Sequence, residues 1–272
     1  MRCTANRKVG ADKKEFLIVD SCQSAVALHP AVEAYATISL SLIRVNDCAY
    51  FHFHTRSPPP MLHLRRPTWT STQRQHVRES ATQALRQFIF DSQLLHNDGG
   101  SIEWTLDGST DKGGLVQLYT GKTPFNVVVF ANARRVRGTL AQAATLADQF
   151  PTSHHFDALE SVAVASLDED DSATDNHHHH VGVTWMAVKA APSAKVRDAC
   201  VLEVRDMFET GEAKGFASLV QSIDVCPEAT GFVRMHIQHT GYTFTEVSPG
   251  LLDVVCCMHV DFRGTLPSWV AR

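Results

Sequence analysis

The chain has no cysteine pair at two-residue spacing, no apolar run long enough to cross a bilayer, and no excess of basic charge. Each absence removes a class of protein. The seven cysteines are Cys3, Cys22, Cys48, Cys200, Cys226, Cys256 and Cys257, an odd number at irregular intervals. This spacing offers no zinc finger and suggests no disulfide framework, so a reducing cytosol is the expected compartment. The stretch Met1–Asp20 is mostly polar, and its apolar patch Phe16–Val19 is too short for the core of a signal peptide. No segment approaches the roughly 18 apolar residues of a spanning helix. The expectation is a soluble protein that touches membranes only peripherally. With 25 Lys and Arg against 29 Asp and Glu, the net charge is -4. That balance argues against a nucleic-acid reader and against a polybasic membrane anchor.

Enzyme signatures are also missing. There is no HExxH zinc motif and no GxSxG nucleophile elbow. Gly121-Lys122-Thr123 resembles the end of a phosphate-binding loop, but the upstream glycine it needs would fall at Val116. Four consecutive histidines, His177–His180, follow the acidic stretch Asp168–Asp175. Successive residues of an extended chain point to opposite sides, so these imidazoles do not converge on one ion. They read as a solvated loop. His154-His155 follows a helix-stopping proline. His236, His239 and His259, with Cys257, would need neighbouring strands to meet. No metal and no cofactor is therefore expected, and no catalytic residue is assigned.

What is present is a patterned chain, 44% apolar, long enough for one large domain with an extension or for two small ones. Residues 1–60 carry little pattern and end in Pro58-Pro59-Pro60, an extended spacer. They form a separate element or an upstream segment, with Met61 as an alternative start. Residues 61–100 hold the clearest helix, Thr70–Leu95. Val77, Ala81, Ala84, Leu85, Phe88 and Ile89 recur there at three- and four-residue steps. Thr70, Ser71 or Thr72 caps its start, and Asn97-Asp98-Gly99-Gly100 ends it. Three strands are predicted at Ile102–Leu106, Leu115–Thr120 and Asn126–Ala131. Thr139-Leu140-Ala141-Gln142 is a capping box that opens a helix running to about Gln149, before Pro151. Six further strands are predicted near Glu160–Leu167, Val181–Val188, Asp198–Phe208, Phe216–Ile223, Phe232–Val247 (bent at Thr240-Gly241) and Leu252–Phe262. The last alternates, with Leu252, Val254, Cys256, Met258, Val260 and Phe262 on a buried face and Asp253, Cys257 and His259 on a polar one. Pattern alone gives α+β with a mostly antiparallel sheet.

Particular residues go further. Lys195-Val196-Arg197-Asp198-Ala199-Cys200-Val201-Leu202 resembles the Arg-Asp-Phe-Val segment of START domains, the steroidogenic-acute-regulatory-related lipid-transfer family. Gly231-Phe232-Val233-Arg234 and Gly241-Tyr242-Thr243-Phe244 resemble that family's next long strand. Val260-Asp261-Phe262-Arg263-Gly264-Thr265-Leu266-Pro267-Ser268-Trp269-Val270 resembles its closing strand and the turn into its final helix. Order and spacing match over residues 101–272, and most clearly from Trp104 to Trp269. The chain is similar to START-like proteins of lower eukaryotes that can carry a FYVE finger. It lacks the paired cysteines of that finger, and it stops at Arg272, where the family's final helix would begin.

The resemblance implies a helix-grip fold: a curved antiparallel sheet with packed helices around an apolar cavity, and no enzymatic activity. It implies a lipid or sterol as partner, held in the cavity and exchanged at a membrane surface by a cytosolic, peripheral monomer that binds no nucleic acid. The expected lining residues are Trp185, Val201, Glu203, Met235, Ile237, Phe244, Val254 and Met258, with Glu203 reaching a lipid hydroxyl through a water. Arg134, Arg135 and Arg137 are the expected contacts for anionic headgroups. Arg197-Asp198 is expected to tie a loop to the start of its strand. Two alternatives stay open. One is an interaction or membrane-recruitment module whose cavity is filled by side chains. The other is a helix-grip enzyme, which would have to draw acid–base groups from Glu203, Glu246 and His259.

Overall fold

The computed structural model describes residues 67–94, 100–109, 116–125, 128–149, 156, 158–168, 178–190, 194–211 and 213–265. The expectations for residues 1–60, for Leu266–Arg272 and for most of Asp168–Asp175 lie outside the described residues.

Helix α1 is Ser71–Asp91, opened by Thr70. The Gln73 amide donates to Thr70 Oγ1 (3.2 Å) and the Thr70 amide donates to Gln73 Oε1 (2.9 Å), so two otherwise free donors are satisfied reciprocally. The helix ends at Asp91 rather than Leu95, for reasons outside its own sequence. Ser92 Oγ donates to the Ile89 carbonyl, and Trp104 Nε1 donates to the Asp91 carbonyl at 2.8 Å. The Asp91 carboxylate accepts from Ser101 N and Oγ at 3.0 and 2.7 Å. The chain is thereby turned into the first strand.

The strands are β1 Glu103–Ser109, β2 Gln117–Lys122, β3 Val128–Arg137, β4 Glu160–Ser166, β5 His180–Val188, β6 Arg197–Thr210, β7 Ala213–Ser222, β8 Val233–Arg234, β9 His236–Ser248 and β10 Leu251–Asp261. Helix α2, Leu140–Gln149, sits between β3 and β4 with the predicted capping box: the Thr139 amide donates to Gln142 Oε1 and the Gln142 amide to Thr139 Oγ1. The strands form one curved sheet in the order β1-β2-β3-β10-β9-β7-β6-β5-β4, with neighbours antiparallel and the short β8 parallel to β6. The expected strand Phe232–Val247 is in fact two, broken at Met235, whose amide donates to the Asp198 carbonyl. This is the helix-grip arrangement anticipated from the sequence.

The sheet buries both faces. On one, Ala81, Leu85, Phe88 and Ile89 of α1 pack on Val183, Trp185, Leu202, Val204, Leu219 and Cys257. On the other, Leu140, Ala143, Ala144 and Ala147 of α2 cover Phe216, Tyr242, Phe244, Val254 and Cys256. Beyond α2 on that second face, Met186, Val201, Val220, Met235 and Ile237 form a third cluster with Val260 and Phe262. The expected alternation of β10 holds in large part: Leu252, Val254 and Cys256 are buried, Asp253, Val255 and His259 are half-buried and Asp261 is exposed. Cys257 is the exception on the expected polar face, buried in the cluster under α1, so both cysteines of the strand are buried. Among the described residues, no helix is long and apolar enough to cross a membrane.

Candidate functional site

Strand register decides which predicted residues share a surface. Val201 and Glu203 on β6, Val220 on β7, Ile237 and Phe244 on β9 and Val254 on β10 lie on the face opposite α1. Met235 joins them in the third cluster, and Met258 sits half-buried at a register shift beside Phe130. Trp185 does not belong with them. It points to the α1 face, where its ring meets Phe232 edge-on at 5.9 Å and its Nε1 donates to Asp198 Oδ2. The reason is the even-numbered register of Asp198, Cys200 and Leu202, which face α1 together with Trp185 of the paired strand.

Glu203 is the unusual member. It is 7% exposed, flanked across the sheet by Gly182 and Val220, and its carboxylate has no hydrogen-bond or ion-pair partner among the described residues. Gly182 leaves room beside it. A side chain at that position would collide with the imidazole of His180, whose Nε2 would stand 2.7 Å from a Cβ there. In turn, His180 Nδ1 is 2.9 Å from Asp168 Oδ2. Next along β6, Arg205 Nη1 donates to the Ala147 carbonyl and to Asp148 Oδ1 at 2.6 and 2.8 Å, fastening the C-terminal end of α2. The buried Nε of Arg205 has no partner among the described residues.

Sequence reading missed a row of mostly polar residues on this face, two positions along β6 from the acid. The register aligns Asn132, Cys256, Tyr242, Ser218, Arg205 and His180 as one cross-strand row on the same face. Asn132 is 1% exposed and its Nδ2 has no partner among the described residues. Burial pushes the Cys256 thiol up to about 12, although a hydrogen bond with Tyr242 opposes the shift. It is thus a neutral thiol rather than a nucleophile. No local motif signals the row, because its members come from six strands.

Arg197 and Asp198 are structural, as expected, but they do not pair with each other. The guanidinium of Arg197, 1% exposed, donates to the carbonyls of Lys195, Phe262, Arg263 and Thr265 and so fastens the chain leaving β10. Asp198 instead accepts from Arg234 Nε (3.2 Å) and Nη2 (2.8 Å). The three predicted headgroup arginines are divided by strand alternation. Arg134 pairs in register with Val254, facing away from α1, while Arg135 and Arg137 face the other way. Arg135 forms a bidentate pair with Asp253 at 2.6 and 2.9 Å.

Cys200 and Cys226 form a disulfide between β6 and the loop before β8. This corrects the cysteine reading: a separation of 26 residues carries no motif, and only the fold brings the two together. Disulfides are rare in the cytosol, so the pairing runs against the reducing compartment expected above. His180 is likewise a strand residue with a carboxylate partner rather than part of a solvated loop. Among the described residues, no group of three or more His, Cys, Asp or Glu is arranged to hold a metal ion.

The acid–base residues needed for an enzyme do not converge. Glu203 aligns through Val220 with Thr240, so Glu246 lies six positions further along β9, about 20 Å away at a strand rise of roughly 3.3 Å. His259 pairs with Gln238, whose side chain alternates with Ile237 to the opposite face.

A cleft of about 780 Å³ opens on the α1 side, past the end of the helix. Of the eight predicted cavity residues only Val254 lines it, along with Arg134 and Arg135.

No protein-family model matches the chain, and no curated protein matches it. Among solved structures it is similar to human StAR-related lipid transfer protein 5, at 16% identity and a TM-score of 0.47, over 74% of this chain and 88% of that one. It is also similar to a STAR-related lipid transfer protein from Xanthomonas axonopodis, at 18% identity and a TM-score of 0.45, over 62% of this chain and 87% of that one. Human STARD10 matches at 16% identity and a TM-score of 0.44, over 75% of this chain and 73% of that one.

Proposed function

We propose that the protein binds a lipid or sterol on the sheet face opposite α1 and exchanges it at a membrane surface, without catalysing a reaction. One observation carries this reading: Glu203 is a buried carboxylate with no partner among the described residues, set among Val201, Val220 and Ile237. Neither of its oxygens is among the fully enclosed unpartnered atoms, so a donor can reach the carboxylate at the edge of this apolar patch. A lipid hydroxyl, directly or through a water, supplies that donor. The apolar neighbours favour the rest of the molecule by about 0.8 kcal/mol per buried methylene. Helix α2, held at its end by Arg205, is the cover over this face. Because Arg135 is already paired with Asp253, Arg137 is the candidate for anionic headgroups, worth on the order of 1 kcal/mol near such a surface.

A second reading has its own support. Tyr242 and Phe244 point to the same face as Glu203 and pack under α2, and Met235 and Ile237 are fully buried. These bulky residues favour an interaction module whose cavity is partly filled by side chains. Native mass spectrometry of protein purified from eukaryotic cells, followed by lipid extraction, separates the two. The carrier reading expects one lipid or sterol per chain and its loss in Glu203→Gln at unchanged folding. Well-folded wild-type protein carrying no lipid would overturn it in favour of the interaction module.

A further inference from the structure

We infer that the cleft past the end of α1 is a second, independent binding site, which takes an uncharged amphipathic molecule bearing hydroxyl groups. The site arises because α1 stops at Asp91 and, among the described residues, two cross-strand rows of the sheet are left uncovered. One row runs Gln117, Ala133, Val255, Thr243, and the other runs Arg135, Asp253, Thr245, Gly215, Phe208. All of these except Gly215 line the cleft. Glycine at 215 is what allows the second row to be flat. A Cβ there would stand 2.2 Å from the ring of Phe208, so that ring lies directly over the glycine and forms an apolar surface. Ala133 and Val255 continue that surface, and Ile89 and Leu94 close it from the side of α1.

The polar groups are mostly neutral and incompletely used. Tyr119 Oη donates to Gln117 Oε1 at 2.8 Å, which leaves the Gln117 amide N–H groups as donors and the phenol oxygen as an acceptor. Thr243 Oγ1 is 3.3 Å from Ser92 Oγ, long for a hydroxyl pair. The charge of Arg135 is cancelled by its bidentate pair with Asp253, and Arg134, which also borders the cleft, alternates to the far face of the sheet with Val254, so a charged ligand would have to compete with a bond already made. A volume of about 780 Å³ lies within the range of small-molecule sites, which combine an apolar lining with a few placed polar groups. Phe208 and Phe244 lie on opposite faces of the sheet, which therefore stands between this cleft and Glu203. Binding here does not depend on the lipid reading.

The test uses octyl glucoside below its micelle concentration, with octanoate and octylammonium as charged amphiphiles of the same chain length. Titration calorimetry and amide chemical shifts are followed on the full chain. The expected result is saturable binding of one octyl glucoside, with shifts confined to Gln117, Ala133, Thr243 and Val255. Octanoate and octylammonium should bind at least about tenfold more weakly, a difference of about 1.4 kcal/mol. Ala213→Trp, which fills the cleft from the β6–β7 turn, should weaken octyl glucoside by a similar factor, while Glu203→Gln should leave it unchanged. Absence of saturable binding, equal binding of the charged amphiphiles, or wild-type shifts that map around Glu203 would overturn the inference. So would undiminished binding by a folded Ala213→Trp, or loss of binding in Glu203→Gln.

Discussion

Replacing Asp198 tests whether the network at the head of β6 holds the fold as described. The carboxylate is fully buried and accepts three side-chain hydrogen bonds, two from Arg234 and one from the indole of Trp185. In Asp198→Ala the Arg234 guanidinium loses its counter-ion while 14% exposed, and the indole N–H loses its acceptor. Removing one partner of a buried ion pair costs about 3–5 kcal/mol. Arg234 keeps the carbonyls of Cys226 and Pro227 as acceptors, at 3.3 and 2.9 Å, which holds its share near the lower end. Adding about 1 kcal/mol for the orphaned indole gives a loss of about 4 kcal/mol. That is a large part of the roughly 5–15 kcal/mol of a typical domain. Urea unfolding followed by tryptophan fluorescence and far-ultraviolet circular dichroism measures it. The double variant with Arg234→Met should recover part of the loss, with a coupling of about 2–3 kcal/mol. A loss below about 1 kcal/mol, or strict additivity of the two substitutions, would refute the reasoning.

Three other outcomes are expected. Reduction of the Cys200–Cys226 disulfide, or Cys226→Ser, should cost about 3.5 kcal/mol by loop entropy for a separation of 26 residues, and a melting temperature unmoved by reductant would count against it. Burial raises the pKa of Asp168, but the Val181 amide, the charge of His180 and the Ser166 hydroxyl outweigh it and hold the carboxyl below its usual value. This contribution is present above the unfolded-state pKa near 3.8 and is lost as pH falls through the lower folded value, so Asp168→Asn should flatten the acid limb of a stability-against-pH curve, and an unchanged limb would disprove it. Cys256, pushed to about 12, and Cys257, pushed well above its usual value by burial, should resist thiol reagents at pH 8 until the protein unfolds; labelling of the native protein at Cys256 or Cys257, located by peptide mapping, at the rate of a free thiol would contradict their burial.

Much of the architecture was legible in local pattern. The capping boxes at Thr70 and Thr139 work on side chains three residues apart, so neighbours in sequence are enough to place them. Each predicted strand has a counterpart, because two-residue alternation and turn residues are also local signals. Phe232–Val247 was the exception, and its break at Met235 depends on a distant hydrogen bond to Asp198. The site was less legible. Val201 and Glu203 could be given a common face because they lie on one strand. Trp185 was misassigned because its face depends on how β5 registers against β6.

The sequence by itself determined the helices, the strands, their order and the alternation along each strand, since all of these follow from contacts among residues close in the chain. Tertiary structure alone decided the rest: that Asp91 ends α1 through Ser101 and Trp104, and that Cys200 meets Cys226. It also decided that Asp198 bonds Arg234 and Trp185 rather than Arg197, and that Glu203 has no partner among the described residues. The physical reason is register. A shift of one residue between two strands moves every side chain to the opposite face, and that shift is set by packing across the whole sheet.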